Sequence, residues 1–363
     1  MRKSKLELQT GAHKNFGSEG MKMGQLLMPR ALVITVLTIV LMYAGQARAQ
    51  KLTVGWSAVS ALNAPFWVMK DAGFLEKEGL DSNLVYIPSS STMAQAQVSG
   101  NVDISTANSQ VIVDADLKGG DLVAIGAVSN AVAFYVMANP RISTVADLKG
   151  QKVGVTRFGA STDFAIRKLL EKYKLNPVVD VPIVQIGGMP EIAAALSNGA
   201  IVAAPMSYPM AYVAQKKGMK LLANMAKEGI AFVHVGITTS RGFLSQHRSY
   251  AKAFLRAYGR AVHYMHTHKE GFKTIIARYS KITEPGMLDG SVEYAYDFVE
   301  KVPLVKQQAF QVTVEQIAEK RPEARQAKLE QFYDNSLVQE LIKEDFFKSL
   351  WGKELQSQTF SAR

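Results

Sequence analysis

Short apolar runs recur along the chain at 52–56, 83–87, 103–107, 122–127 and 133–138, then at 152–156, 182–186, 200–204, 220–223 and 231–238. Many are rich in Val and Ile, and helix-like stretches separate them. That alternation predicts βαβ units with mainly parallel sheets. Over 162–175 the period is helical: Ile166, Leu169, Leu170 and Tyr173 share one face, Ser161 or Thr162 caps the start, and Asn176-Pro177 ends it. Over 249–268 the same spacing sends Ala251, Phe254, Leu255, Tyr258, Val262 and Met265 inward. Near the end, Ser336-Leu-Val-Gln339 reads as a capping box that opens a helix with Leu337, Leu341 and Ile342 inward.

Two passages match each other. Leu52-Thr-Val-Gly-Trp56 is followed by a small polar loop and by Asn63-Ala-Pro-Phe-Trp67 at a helix start. Lys152-Val-Gly-Val-Thr156 is followed by Arg157-Phe-Gly-Ala-Ser-Thr162 and a second helix. Each junction presents free backbone N–H groups and the positive end of a helix dipole, which suits an anionic or polar ligand. Two such junctions predict two α/β lobes closing on one small molecule. A weaker repeat, Gln97 to Ser105 against Leu196 to Ala204, has in each copy a helix end, a glycine stop and a strand start. The strand stop at Ala138-Asn-Pro-Arg141 and a second boundary near His234-Val-Gly236 divide the chain into a first lobe part at 50–138, a second lobe at 139–235, and a return to the first lobe with C-terminal helices at 236–363. Two crossings between lobes suit ligand-driven closure.

The first 49 residues stand apart. Lys22 and Arg30 precede an apolar run from Ala31 to Ala44, and Ala47-Arg48-Ala49 supplies the small residues of a cleavage site before Gln50. This is the pattern of a signal peptide, and the run is shorter than the ~20 apolar residues a membrane span needs. It predicts a periplasmic protein, with Met1, Met21 or Met23 as the start. The absence of cysteine excludes disulfides, thiolate catalysis and a lipid-modified N-terminal cysteine. The formal charge of +11 falls to +6 without residues 1–49, and its basic residues are scattered among acids, as in Glu76-Lys-Glu78. No basic stripe with interleaved aromatics suggests nucleic-acid binding. His263, His266 and His268 lie close in sequence, but helical spacing turns His268 away and no third ligand accompanies the others, so no metal is expected. No cofactor motif is present either: Gly187-Gly-Met-Pro190 is a turn into a helix without a Walker or dinucleotide pattern.

Four segments carry a family resemblance: Ala64-Pro-Phe-Trp-Val-Met-Lys-Asp-Ala-Gly-Phe-Leu-Glu-Lys-Glu-Gly-Leu80, Ser99-Gly-Asn-Val-Asp-Ile104, Ile142-Ser-Thr-Val-Ala-Asp-Leu-Lys-Gly-Gln-Lys-Val-Gly-Val155 and Tyr333-Asp-Asn-Ser-Leu-Val338. With them the chain resembles, over nearly all of 51–345, the solute-binding proteins of nitrate-, taurine- and alkanesulfonate-type ABC importers. The resemblance implies a type II periplasmic binding fold, a ligand cleft between the lobes, and delivery to a membrane permease and its ATPase. It also admits binders of heteroaromatic vitamin precursors. One departure stands out: Val202 replaces the aspartate usual at that strand start of the second lobe, whereas Asp103 is intact in the first.

Ligands of open parallel sheets bind beyond the carboxyl ends of the strands. That nominates Trp56, Ser57 and Asn63, Ser90, Ser91 and Thr92, and Thr106 and Asn108 in the first lobe. In the second lobe it nominates Arg157, Gly159, Ser161, Thr162, Gly188 and Tyr208. The hydroxyls either touch the ligand or simply cap helices. Trp56 and Tyr208 either stack on a planar ligand or pack in the core. Arg157 either pairs with a sulfonate or carboxylate through its planar fork or is a solvated loop residue. The expected function is capture of a small organic anion by a monomer. Two alternatives are a heteroaromatic ligand and a periplasmic sensor that reports to a membrane receptor. An enzyme is not expected: thiamine-pyrimidine synthases resemble these proteins but use a cysteine-rich motif, and no Ser/His/Asp set has the required strand-turn-helix setting.

Overall fold

The computed structural model describes residues 51–319 and 321–355, so the expected leader at 1–49 lies outside the described residues. The described residues form ten strands: β1 Leu52–Trp56, β2 Ser82–Tyr86, β3 Ile104–Ala107, β4 Leu122–Ala131, β5 Tyr135–Ala138, β6 Val153–Val155, β7 Ile183–Gln185, β8 Ala203–Met206, β9 Lys220–Asn224 and β10 Ala231–Ser240. Every apolar run picked out in the sequence contributes one. They build two five-stranded sheets, ordered β2-β1-β3-β10-β4 and β7-β6-β8-β5-β9.

The sheets are mixed rather than mainly parallel. β1 is parallel to β2 and β3, as β6 is to β7 and β8. But β10 is antiparallel to β3 and β4, and β5 is antiparallel to β8 and β9. The connectivity explains this. β4 runs with β3, so it ends at the edge where the two sheets meet. The chain therefore enters the second sheet from that same edge, and β5 must run against its neighbours. β9 ends at the same edge for the same reason, and β10 runs backwards through the first sheet. Apolar periodicity reports burial and is blind to strand direction.

Those two passages are short, spanning 132–134 and 225–230. β5 thus belongs to the second sheet and all of β10 to the first. Pro140 marks the end of β5 rather than the crossing itself, because proline cannot continue a ladder but says nothing about which sheet the strand joins.

Helices cover both faces of each sheet. On the first sheet, Val54 and Ile104 pack with Trp67, Phe254 and Tyr258, while Ala124, Ala127 and Val233 on the opposite face meet Phe310 and Phe332. The second sheet buries Val153, Val155 and Ala204 against Phe164, Ile166 and Ile192. In the helix Arg248–Thr267 all six residues of the expected stripe are buried. The helix Ser161–Lys172 departs from expectation at both ends. Its N-cap is Ala160, with Ser161 and Thr162 already helical, and Tyr173 caps its C-terminus while 49% exposed instead of joining the buried face. Asn176 lies beyond the helix, where its Oδ1 accepts from the Val178 and Val179 N–H groups. The last expected capping box is also displaced: Asn335 precedes the helix Ser336–Lys343, and the Ser336 hydroxyl accepts from Arg248.

Val202 and Asp103 occupy equivalent places. The Val202 N–H donates to the Lys152 carbonyl at 2.9 Å, as the Asp103 N–H does to that of Thr53 at 2.9 Å. The Asp103 carboxylate also accepts from the Thr53 N–H at 2.7 Å, whereas the Val202 side chain joins the second core. The substitution thus alters how a strand start is tied down.

Candidate functional site

Where the two sheets meet, a cleft of about 470 Å³ (open mouth included) opens between them. Strand ends and helix starts from both sheets converge on it. Ser57, Ser60 and Asn63 follow β1, Ser89 and Ser90 open the helix Ser90–Val98, and Thr106 is the last residue but one of β3. From the second sheet come Thr156, Ser161 and Thr162 after β6, Met189 at the start of the helix Met189–Ser197, and Ser207 after β8. Phe134 lines it from the first passage, and His234 and Val235 from β10.

Most of these hydroxyls are held in place. Thr106 Oγ1 donates to Ser57 Oγ at 2.9 Å. The Thr156 N–H donates to Thr162 Oγ1 at 2.9 Å. Asn108, fully buried, accepts from the Val111 N–H at 2.9 Å and so caps its own helix; its Nδ2 then reaches Ser90 Oγ at 3.2 Å and Ser161 Oγ at 3.0 Å. The last bond crosses from one lobe to the other. Ser161 passes the chain on, donating to the His234 carbonyl at 3.3 Å. A second inter-lobe bond runs from the Ala61 N–H to the Tyr208 carbonyl at 3.0 Å.

His234 is the titratable residue of this lining. Burial pushes its pKa down from 6.5 to about 3, against a smaller opposing hydrogen bond with the Ala131 backbone. Its Nδ1 accepts from the Ala133 N–H at 2.9 Å, so the neutral ring carries its proton on Nε2. The ring packs on Phe134 with centroids 4.2 Å apart. The lining holds no Asp, Glu, Lys or Arg, and with His234 neutral it carries no formal charge. What field exists comes from the helix N-termini, which favour negative charge.

Of the residues nominated from sequence, Ser57, Asn63, Ser90, Thr106, Ser161 and Thr162 line this cleft. Asn108 stands directly behind, bonded to two of them. Ser91 and Thr92 lie around the N-cap Ser89, whose hydroxyl is 3.1 Å from that of Ser91 and accepts from the Thr92 N–H. Trp56 faces the core instead, its ring against Trp67 and Tyr86 at 5.2 and 4.4 Å, because the last residue of β1 points into the sheet's helical layer. Tyr208 packs its ring beside Tyr135 and Tyr294 and offers its carbonyl to Ala61. Arg157 is exposed and outside the lining. Gly159 adopts φ +78°, a left-handed turn that brings its N–H to Asp163 at 3.0 Å, and it too lies outside the lining. Gly188 makes room for the Glu191 carboxylate, whose Oε2 would sit 2.7 Å from a Cβ there, and it lies outside the lining.

Sequence reasoning missed Phe134 and His234. Phe134 lies in the first passage between sheets and His234 in the first half of β10, and a search confined to strand carboxyl ends skips a strand that enters the site backwards. Proximity to a lobe boundary was the available signal. The histidines at 263, 266 and 268 are elsewhere: His263 and His266 pack against Trp351, and His268 stacks on Tyr264.

Comparison with known proteins places these features. The family model described as NMT1/THI5 like matches residues 62–271. A protein of Bordetella bronchiseptica RB50 superposes with a TM-score of 0.72 at 18% identity, covering 81% of this chain and 97% of that one. The alkanesulfonate-binding protein SsuA from Xanthomonas axonopodis pv. citri, bound to MOPS, gives 0.65 at 19% identity over 77% and 95% of the two chains. The periplasmic nitrate-binding protein NrtA from Synechocystis PCC 6803 gives 0.68 at 15% identity over 82% and 89%.

Proposed function

The chain belongs to the NMT1/THI5-like family, and from that premise we propose that it is the solute-capturing component of an ABC importer, taking a small organic anion into the cleft and handing it to a membrane permease with its ATPase. The observation that carries this reading is the convergence of hydroxyl-bearing helix starts from both sheets on one cleft whose lining has no carboxylate. Helix N-termini and neutral donors hold an anion without a paired cation, since the dipoles supply the field and the hydroxyls and N–H groups the hydrogen bonds. Two proteins of the same fold are described as binding alkanesulfonate and nitrate, both anions. Sulfonate and carboxylate are the groups we assign to the ligand. Export to the periplasm through the leader at 1–49 belongs to the same proposal.

Binding rather than catalysis is the role we infer. The imidazole in the cleft is occupied by the Ala133 N–H and has a strongly depressed pKa, so it is poorly placed as a general base. A heteroaromatic ligand held by stacking on Trp56 loses support, because that ring is inside the core.

Thermal-shift titration tests the reading with ethanesulfonate, acetate, benzoate and nitrate on one side and neutral pyrimidines on the other. A ligand at 100 times its Kd adds about 2.7 kcal/mol to stability. The proposal expects the melting temperature to rise with a sulfonate or carboxylate. A rise confined to the neutral compounds would contradict it.

A further inference from the structure

Two polar atoms in the cleft differ from all the bonded hydroxyls around them. Asn63 and Ser207 are each only 1% exposed and both line the cleft. Asn63 Oδ1 and Ser207 Oγ are buried, and neither has a hydrogen-bond partner among the described residues. They stand on opposite lobes, on segments joined by the bond from the Ala61 N–H to the Tyr208 carbonyl. The backbone of each residue is tied down. Asn63 closes the turn after Ser60, donating its N–H to the Ser60 carbonyl at 2.9 Å, and Pro65 sits in the first turn of the helix that follows. The Ser207 carbonyl accepts from the Ala211 N–H at 3.0 Å, at the start of the helix Met210–Lys216. Buried polar atoms are nearly always paired, and an unpaired one is destabilising, so two on residues that line one cleft from opposite lobes point to a ligand that pairs them.

Resting on the reading of this cleft as a solute site, we propose that Asn63 and Ser207 form a subsite for an uncharged hydroxyl of the ligand, so that the captured solute is a hydroxyl-bearing small anion rather than a bare alkyl one. The donor inventory leads there. A carboxamide oxygen only accepts, and a serine hydroxyl donates or accepts. A ligand hydroxyl serves both, donating to Asn63 Oδ1 while accepting from Ser207. A sulfonate or carboxylate oxygen only accepts and leaves Asn63 Oδ1 unmet. An ammonium donates, but the lining has no carboxylate to hold its charge out of water. The anionic end of the solute then lies with Ser90 and Ser161, at the helix starts, and with Thr106 of β3.

The test has two arms. In the first, melting temperatures of the ligand-free protein are compared for wild type, Ser207→Ala and Ser161→Ala. Removing an unpaired hydroxyl should leave the melting temperature unchanged or raise it, whereas removing the doubly bonded Ser161 hydroxyl should lower it. A fall for Ser207→Ala as large as that for Ser161→Ala makes Ser207 structural and overturns the subsite. In the second arm, calorimetry compares ethanesulfonate, 2-hydroxyethanesulfonate and 2-aminoethanesulfonate. Wild type should bind the hydroxyl compound at least tenfold more tightly than ethanesulfonate. Asn63→Asp, which adds the missing negative charge, should move the preference to the amino compound. Equal affinity of wild type for ethanesulfonate and 2-hydroxyethanesulfonate overturns the proposal. Binding of none of the three counts against the anion reading of the cleft, and the melting comparison then decides the subsite by itself.

Discussion

His234 shows how much one buried side chain in this site can govern. Its pKa falls to about 3 in the fold because burial penalises the cation, whereas an unfolded histidine titrates near 6.5. Between those values the unfolded chain binds the extra proton and the folded one does not, so stability rises with pH through this window and is lost as the pH drops from about 6.5 towards 3. Each pH unit in the window is worth up to about 1.4 kcal/mol for one such group. His266, lowered to about 4 by burial and by Lys301, adds to the same trend. Urea unfolding of His234→Gln at pH 4.5, 5.5 and 7 should therefore show a shallower pH dependence than wild type, with part of the slope remaining; an unchanged slope would mean that His234 is not the buried neutral group described. Arg157 is the opposite case. Its loop position between β6 and a helix was legible in the sequence, but its orientation was not, since a strand end says nothing about which way the next side chain turns. Being exposed and outside the lining, it should tolerate Arg157→Ala with less than about a threefold change in anion affinity, within the 0–1 kcal/mol of exposed charge contacts. Calorimetry on the purified variant checks this, and a loss of tenfold or more would return Arg157 to the site.

At the level of elements, helical period was the most readable signal and helix ends the least. The stripe through Phe254 and Tyr258 was read correctly because it repeats over about four turns and each position is buried. The helix after β6 was read correctly in its middle, at Ile166, Leu169 and Leu170, and wrongly at its ends. Ser161 and Thr162 resemble caps, yet their hydroxyls serve the His234 carbonyl and the Thr156 N–H, partners that only the tertiary fold supplies. Substitutions should separate the faces cleanly. Phe254→Ala opens a cavity in a fully packed layer and should cost about 3–5 kcal/mol, whereas Tyr173→Ala at its exposed position should change stability by about 0.5 kcal/mol or less. Chemical denaturation of the two variants checks the contrast, and similar losses for both would place Tyr173 in the core after all.

In the molecule as a whole, the two passages between sheets set where the site forms. Each sheet receives one strand from the meeting edge, so the first passage and the start of β10 are themselves walls of the cleft, at Phe134 and His234. A pair of lobes was legible from the matched junctions after 56 and 156, while the mixed strand direction was not, for it depends on where the chain crosses rather than on any residue's polarity. The inter-lobe bonds Asn108–Ser161 and Ala61–Tyr208 describe an arrangement with the lobes in contact around the cleft. Two short passages between lobes suit hinge closure around a ligand. If solute capture is what the cleft does, the anion should favour that contact arrangement over more open ones in solution. Small-angle X-ray scattering from residues 50–363, without ligand and saturated with the sulfonate or carboxylate that most raises the melting temperature, measures this directly. The account predicts a smaller radius of gyration with the anion bound; an identical radius at saturation would contradict closure of two lobes on a captured solute.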